Sequence, residues 1–192
     1  MKAVYVLAIT SVLAAPAMPF LVLNQKASPE WTVKISGGHE TEGPDRGRPV
    51  VLVAGGLGVK PEVFREAFSH VRPAPGGERP TEERAQQNKR ALMDALGKHG
   101  VTNELLDTVS NYYRYRREQG EMWPTKPAVA TAIVTNGKLT GFKVTSGGSG
   151  YSSVPTVTVV GHPEIKVEVV ISYGKDLSKN GSISEIKILP KK

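Results

Sequence analysis

The sequence has 192 residues, 39% of them hydrophobic, which is enough for one ordinary domain or two small ones and too apolar for a chain disordered throughout. It contains no cysteine, which excludes disulfides, zinc–thiolate sites, iron–sulfur ligation by cysteine and a cysteine nucleophile. The formal charge of +7 suggests an anionic partner, but the excess sits mostly in Thr131 to Lys192, while basic and acidic residues nearly balance from Asn24 to Ala130.

Residues 1–17 read as a secretory signal peptide: Lys2 is a charged start, Ala3 to Leu13 an apolar run, and Ala15-Pro16-Ala17 a small-x-small cleavage pattern. The apolar character continues through Phe20 to Leu23, so an uncleaved anchor is the competing reading. Pro16 and Pro19 interrupt that span, which favours cleavage and a mature chain beginning near Met18. The expected location is outside the cytoplasm, periplasmic or extracellular, with membrane contact only through an uncleaved N-terminus. Residues 18–49 are rich in Gly, Pro and charge and read as a mostly irregular linker, in which only "WTVKI" alternates as a short strand would.

Residues 50–123 carry helical signals. "RPVVLVAGGLG" reads as a short helix, although its valines and Gly55-Gly56 favour strand locally. Pro61 suits a first helical position, and Val63, Phe64, Ala67, Phe68 and Val71 fall on one face. Thr81 caps a further helix with the stripe Ala85, Leu92, Ala95 and Leu96, stopped by Gly97. From Thr102 as cap, Leu105, Leu106, Val109, Tyr112 and Tyr113 share one side of a last helix. An internal repeat aligns "LGVKPEVFREAF" with "HGVTNELLDTVS", Gly58 over Gly100, and implies two helix-turn-helix hairpins.

In residues 124–192 the period changes to two. "TAIVTNGKLTGFKVT" is a hairpin pattern around Asn136-Gly137, a dipeptide that tolerates the positive φ angles of a type I′ turn. "PTVTVV", "IKVEVVISY" and "SISEIKIL" follow as strands, and "NGKLTGFKV" aligns with "NGSISEIKI" at Asn180-Gly181. The expected fold class is therefore α+β, with three to four helices in N-terminal hairpins followed by a small antiparallel sheet of about five strands. Gly147, Gly148 and Gly150 would make a turn, Tyr151 would anchor it by packing its ring, and Pro155 would begin the next strand.

On these last residues, "VTSGGSGYSSVPTVTV" resembles the Gly-Gly-x-Gly-Tyr, then Pro-x-Val, β-modules of secreted bacterial and phage tail-fibre-like proteins. The resemblance covers about sixty residues and implies a mainly structural role. The wider arrangement of signal peptide, "GVKPEVFREAF", "GVTNELLDTVSNYYRYR", "WP" and "GGSGYSSVP" resembles a group of short secreted bacterial proteins of uncharacterised function. That likeness implies location and architecture, and no activity.

Catalytic and cofactor motifs are incomplete. "GGLG" completes neither a dinucleotide fingerprint nor a Walker loop, and Tyr151 stands where the final glycine of a nucleophile elbow belongs. His39, Glu40, Glu42 and Asp45 are the densest group of metal-capable side chains, but they lack His-Glu-x-x-His spacing and lie in the linker, so a solvated loop is expected. No cofactor or metal is expected. A helix-turn-helix that reads DNA would place Asn103, Glu104 and Asp107 toward the bases, and two acids there repel phosphates, so no nucleic acid partner is expected.

The stretch "YYRYRREQGEMW" admits two readings. Its tyrosines pack and Arg114, Arg116 and Arg117 complement the helix's negative end, or Arg114, Tyr115, Arg116, Arg117 and Trp123 form an exposed patch for an acidic glycan or an envelope protein. The functional expectation is an exported, non-enzymatic structural or interaction protein of the envelope. The alternative is an envelope hydrolase or accessory subunit with a site between the two units.

Overall fold

Two Gly-Val steps organise the helical half of the computed structural model, which describes residues 31–72, 74, 78 and 80–190. The signal-peptide and cleavage readings lie outside the described residues. Helix α1 (Val50–Leu57) ends on Gly58 at φ 72°, and α2 (Pro61–Ser69) begins three residues later. Helix α3 (Glu82–Leu96) passes through a 3-10 turn to Gly100 at φ 78°, and α4 (Asn103–Tyr112) again begins three residues on. Thr81 and Thr102 accept hydrogen bonds from Arg84 and Leu105 backbone N–H, satisfying donors that a bare helix start leaves open. The repeat seen in the sequence is thus a repeat of structure. Val50, Leu52, Leu57, Phe64, Leu96, Leu106 and Val109 close this half around one core. Ala85, expected on the apolar stripe of α3, is exposed, because the first turns of that helix extend beyond the core.

The β-half is antiparallel throughout, and it is built as three two-stranded ladders where one sheet of about five strands was expected. β2 (Val129–Thr135) and β3 (Lys138–Ser146) form the hairpin, with Asn136 and Gly137 at φ 51° and 71° as a type I′ turn requires. β5 (Val167–Ser172) pairs with β6 (Ser182–Ile188). β4 (Thr156–Val159) pairs with β1 (Val33–Ser36), so the part of the expected linker that alternates apolar and polar residues joins the β-half. The ladders meet over Ala130, Tyr151, Val157, Val169, Ile183 and Ile186. They do not merge into one sheet, and after β3 the backbone of Gly147 to Gly150 bonds to several different segments. Gly147 O accepts from Ile183 N–H, Ser149 exchanges bonds with Lys126, and Gly150 N–H donates to Asn180 O.

Of the glycines expected to turn the chain, Gly148 and Gly150 hold left-handed backbone. Gly150 sits at φ 83°, and a Cβ there would lie 2.6 Å from Pro124 O. Tyr151 is buried and Pro155, also buried, directly precedes β4.

Gly55 and Gly56 answer why a helix should contain adjacent glycines. The β5–β6 loop lies directly on them: a Cβ on Gly55 would be 2.7 Å from Asn180 Oδ1 and 2.9 Å from Tyr173 Cβ, and one on Gly56 would be 2.8 Å from Leu177 Cδ2. The helix is weak by propensity and strong by contact. Gly55→Ala sets these against each other. Alanine gains about 1 kcal/mol of helix propensity, and overpacking costs about 1–3 kcal/mol. Urea denaturation should show a net loss of stability, and a more stable Gly55→Ala protein would mean that the loop does not press on the helix.

Candidate functional site

Two places gather polar side chains: the seam between the halves, and a corner of arginines on the helical half. At the seam, Asn180 is 1% exposed. Its amide nitrogen donates to Leu52 O at 2.6 Å and to Tyr113 Oη at 2.8 Å, and its Oδ1 accepts from Gly174 N–H at 3.0 Å. Gly150 O receives the Trp123 indole N–H at 2.9 Å and lies 3.1 Å from His39 Nδ1. The His39 ring stacks on Tyr151, whose hydroxyl accepts from Ala128 N–H. Glu40 takes the Ser153 hydroxyl and Gly38 N–H, and the Ser153 bond leads in holding its carboxyl below the ordinary value. A crevice of about 10 Å³ lies where this segment meets the start of α1, lined by Glu40, Asp45, Arg48, Val51 and Ser152. Polar groups at the seam bond to one another.

The second place is built from "GPDRGRP". A 3-10 turn, Gly43–Asp45, buries Asp45, and Arg65 from α2 grips its carboxylate with two parallel bonds of 2.8 and 2.9 Å. Glu42 adds a contact of 3.0 Å to the same guanidinium. The Asp45 bond dominates in pushing Arg65 further into its charged form. The chain then reverses through Arg46, at φ 50° and ψ 42°, and Gly47 at φ 87°. Arg48 lays its guanidinium 4.1 Å above the Phe68 ring, and burial pulls its affinity for a proton down, with neighbouring Arg46 acting in the same sense. Among the described residues neither Arg46 nor Arg48 has a carboxylate within ion-pair distance. A groove of about 350 Å³ runs beneath them, with Phe68, Val50 and Val71 in its wall.

The stretch singled out in the sequence reaches this corner by an unexpected path. Helix α4 ends at Tyr112, so Arg114, Arg116 and Arg117 lie beyond its last turn instead of within it. Tyr115 leaves the helical path to donate its hydroxyl to Gly47 O and to meet Trp123 edge-on, with ring centroids 5.4 Å apart. Burial pushes the Tyr115 phenol up, against the pull of Arg117 and Arg48. Trp123 is 4% exposed. The aromatics therefore face the core while the arginines face water. Arg117 rests on Gly47, where a Cβ would lie 2.6 Å from its Nη1, Arg116 pairs with Glu121 at 3.5 Å, and Arg114 is exposed.

The four metal-capable side chains near residue 40 part company. His39 and Glu40 serve the seam, while Glu42 and Asp45 serve Arg65. Their stretch is not the solvated loop expected, because Asp45 is 4% exposed and paired. Arg46 and Arg48 were missed as site residues. Their signal was the Arg-Gly-Arg spacing, hidden by a Gly/Pro composition that reads as linker. No family model matches the sequence, and no curated protein or solved structure matches it either.

Tyr113 gives the seam a measurable signature. Burial raises its phenol from 10.0 to about 12, opposed by the Asn180 bond. Because the folded state holds this proton more tightly than the unfolded chain, the contribution is whole below pH 10 and is lost as pH rises from 10 towards 12. Denaturation midpoints should fall across that window, and less so in Tyr113→Phe, whose Asn180 keeps Leu52 O. Tyr115 and Tyr173 shift in the same direction and will leave a residue of the effect. Identical alkaline losses in both proteins would remove Tyr113 from this role.

Proposed function

We propose that the protein is an exported, non-enzymatic interaction protein of the cell envelope that engages an anionic partner. The observation that carries this reading is the arginine corner. Two basic stretches are brought together at Gly47, through Tyr115 Oη, 68 positions away, and through the Arg117 side chain. Arginine in such a setting offers flat, forked donors suited to carboxylate and phosphate oxygens. The N-terminal pattern supports export, and the Gly-Gly-x-Gly-Tyr turn supports a structural β-unit. The alternative, a hydrolase site between the halves, finds less support: the seam's polar side chains Asn180, His39 and Glu40 are engaged by partners within the protein.

Two measurements test the reading. Intact mass of the protein recovered from its native host should correspond to a chain beginning near Met18, and a full-length product in the cytoplasm would refute export. The mature chain should be retained on immobilised polygalacturonate at low salt, released as salt rises, and pass freely through neutral dextran. Passage through polygalacturonate, heparin and polyphosphate resins as free as through dextran would sink the anionic partner.

A further inference from the structure

Resting on that reading, we propose that the groove under Arg46 and Arg48 is a seat for the carboxylate of a uronic-acid unit in an acidic polysaccharide. Arg65 is consumed by Asp45 and Glu42, so it shapes the seat without supplying it with free donors. Arg46 and Arg48 carry no such partner among the described residues. Arg48 is already fixed over Phe68, which lowers the ordering cost of gripping an anion. Arg46 is held in the left-handed region, where glycine would sit without a Cβ penalty. A side chain kept at a strained backbone position points to a use for that side chain.

Charge selects among anions. Three guanidinium groups, Arg46, Arg48 and Arg65, stand against three carboxylates, Asp45, Glu42 and Glu62, all of them gathered on Arg65, so the corner is neutral overall while Arg46 and Arg48 keep their donors. A monoanionic carboxylate disturbs that balance less than a phosphate dianion would. Shape agrees: about 350 Å³ is at the small end of ligand sites, and Phe68, Val50 and Val71 offer an apolar wall to the C–H face of a sugar ring.

The test titrates trigalacturonate into the mature chain by calorimetry. Arg46→Gly relieves the backbone at φ 50° while deleting the charge, so it should melt at or above the wild-type temperature yet bind about tenfold more weakly, the loss expected for one charge-assisted contact. Arg46→Gln and Arg48→Gln should weaken binding similarly, and Lys138→Gln with Lys143→Gln, on the remote hairpin, should not. Fully methyl-esterified trigalacturonate should not bind, and equimolar inorganic phosphate should not displace the acid.

Unchanged affinity in both Arg46 variants and in Arg48→Gln overturns the seat. If the loss appears instead in Arg114→Gln, Arg116→Gln and Arg117→Gln, the anionic partner stands and this location falls. Displacement by phosphate overturns the carboxylate assignment. Absence of binding to trigalacturonate alongside salt-sensitive retention on another polyanion overturns the uronate class, whereas absence of retention on every polyanion overturns the underlying reading itself.

Discussion

A single buried carboxamide joins the two halves. Asn180 has lost nearly all contact with water, and its side chain is repaid by Leu52 O in α1, Tyr113 Oη just past α4 and Gly174 N–H in the β5–β6 loop. Its backbone oxygen also accepts from Gly150 N–H in the glycine-rich turn. Each partner belongs to a different segment, so displacing one of them leaves a buried amide unsatisfied. Such a group costs about 1–3 kcal/mol, more than a typical paired bond contributes. The geometry of the seam is therefore specified by polar satisfaction as well as by apolar area.

Several features of the seam follow from the reach of that side chain. A carboxamide can touch α1 only if the helix presents no side chain beneath it, which is met by Gly55, and the loop carrying it can settle only if Leu177 fits beside Gly56 and Val109. Gly181 must likewise approach Leu52 and the backbone of Tyr151. On the far side, Trp123 and His39 converge on Gly150 O, tying the end of the helical half and the segment before it to the same turn. Apolar packing within each half supplies bulk stability. The polar set at the seam decides how the halves meet.

The arginine corner obeys a related constraint. Asp45 is 4% exposed, and Arg65 satisfies its carboxylate with a two-bond grip from α2. That grip pins the Gly43–Asp45 turn, and the reversal that follows carries Arg46 and Arg48 around the groove. Tyr115 and Arg117 then brace the loop at Gly47 from the other side. Structural satisfaction of one charge thus positions two others that have no carboxylate within ion-pair distance among the described residues. Buried pairing and surface availability are consequences of the same turn.

Much of the local structure was determined by the sequence alone. Thr81 and Thr102 as caps, Pro61 at a helix start, Gly97 at a helix end, and Asn136-Gly137 as a hairpin turn each depend on backbone sterics or on groups within a few residues, and these travel with the residue types. The α+β class followed from the change in hydrophobic period. Tertiary structure decided the rest. The dipeptides Asn136-Gly137 and Asn180-Gly181 align as repeats, yet one is an exposed turn and the other the buried hub, because only distant Leu52 and Tyr113 distinguish them. Helix α4 stops at Tyr112, and Tyr115 beyond its end bonds to Gly47 O, 68 positions away in sequence. β1 leaves the linker to pair with β4, and Gly47, between Arg46 and Arg48, meets Arg117 only after folding. Such pairings depend on the entropy lost in closing long loops, set against the bonds and packing that closure makes possible, a balance that no short window of sequence contains.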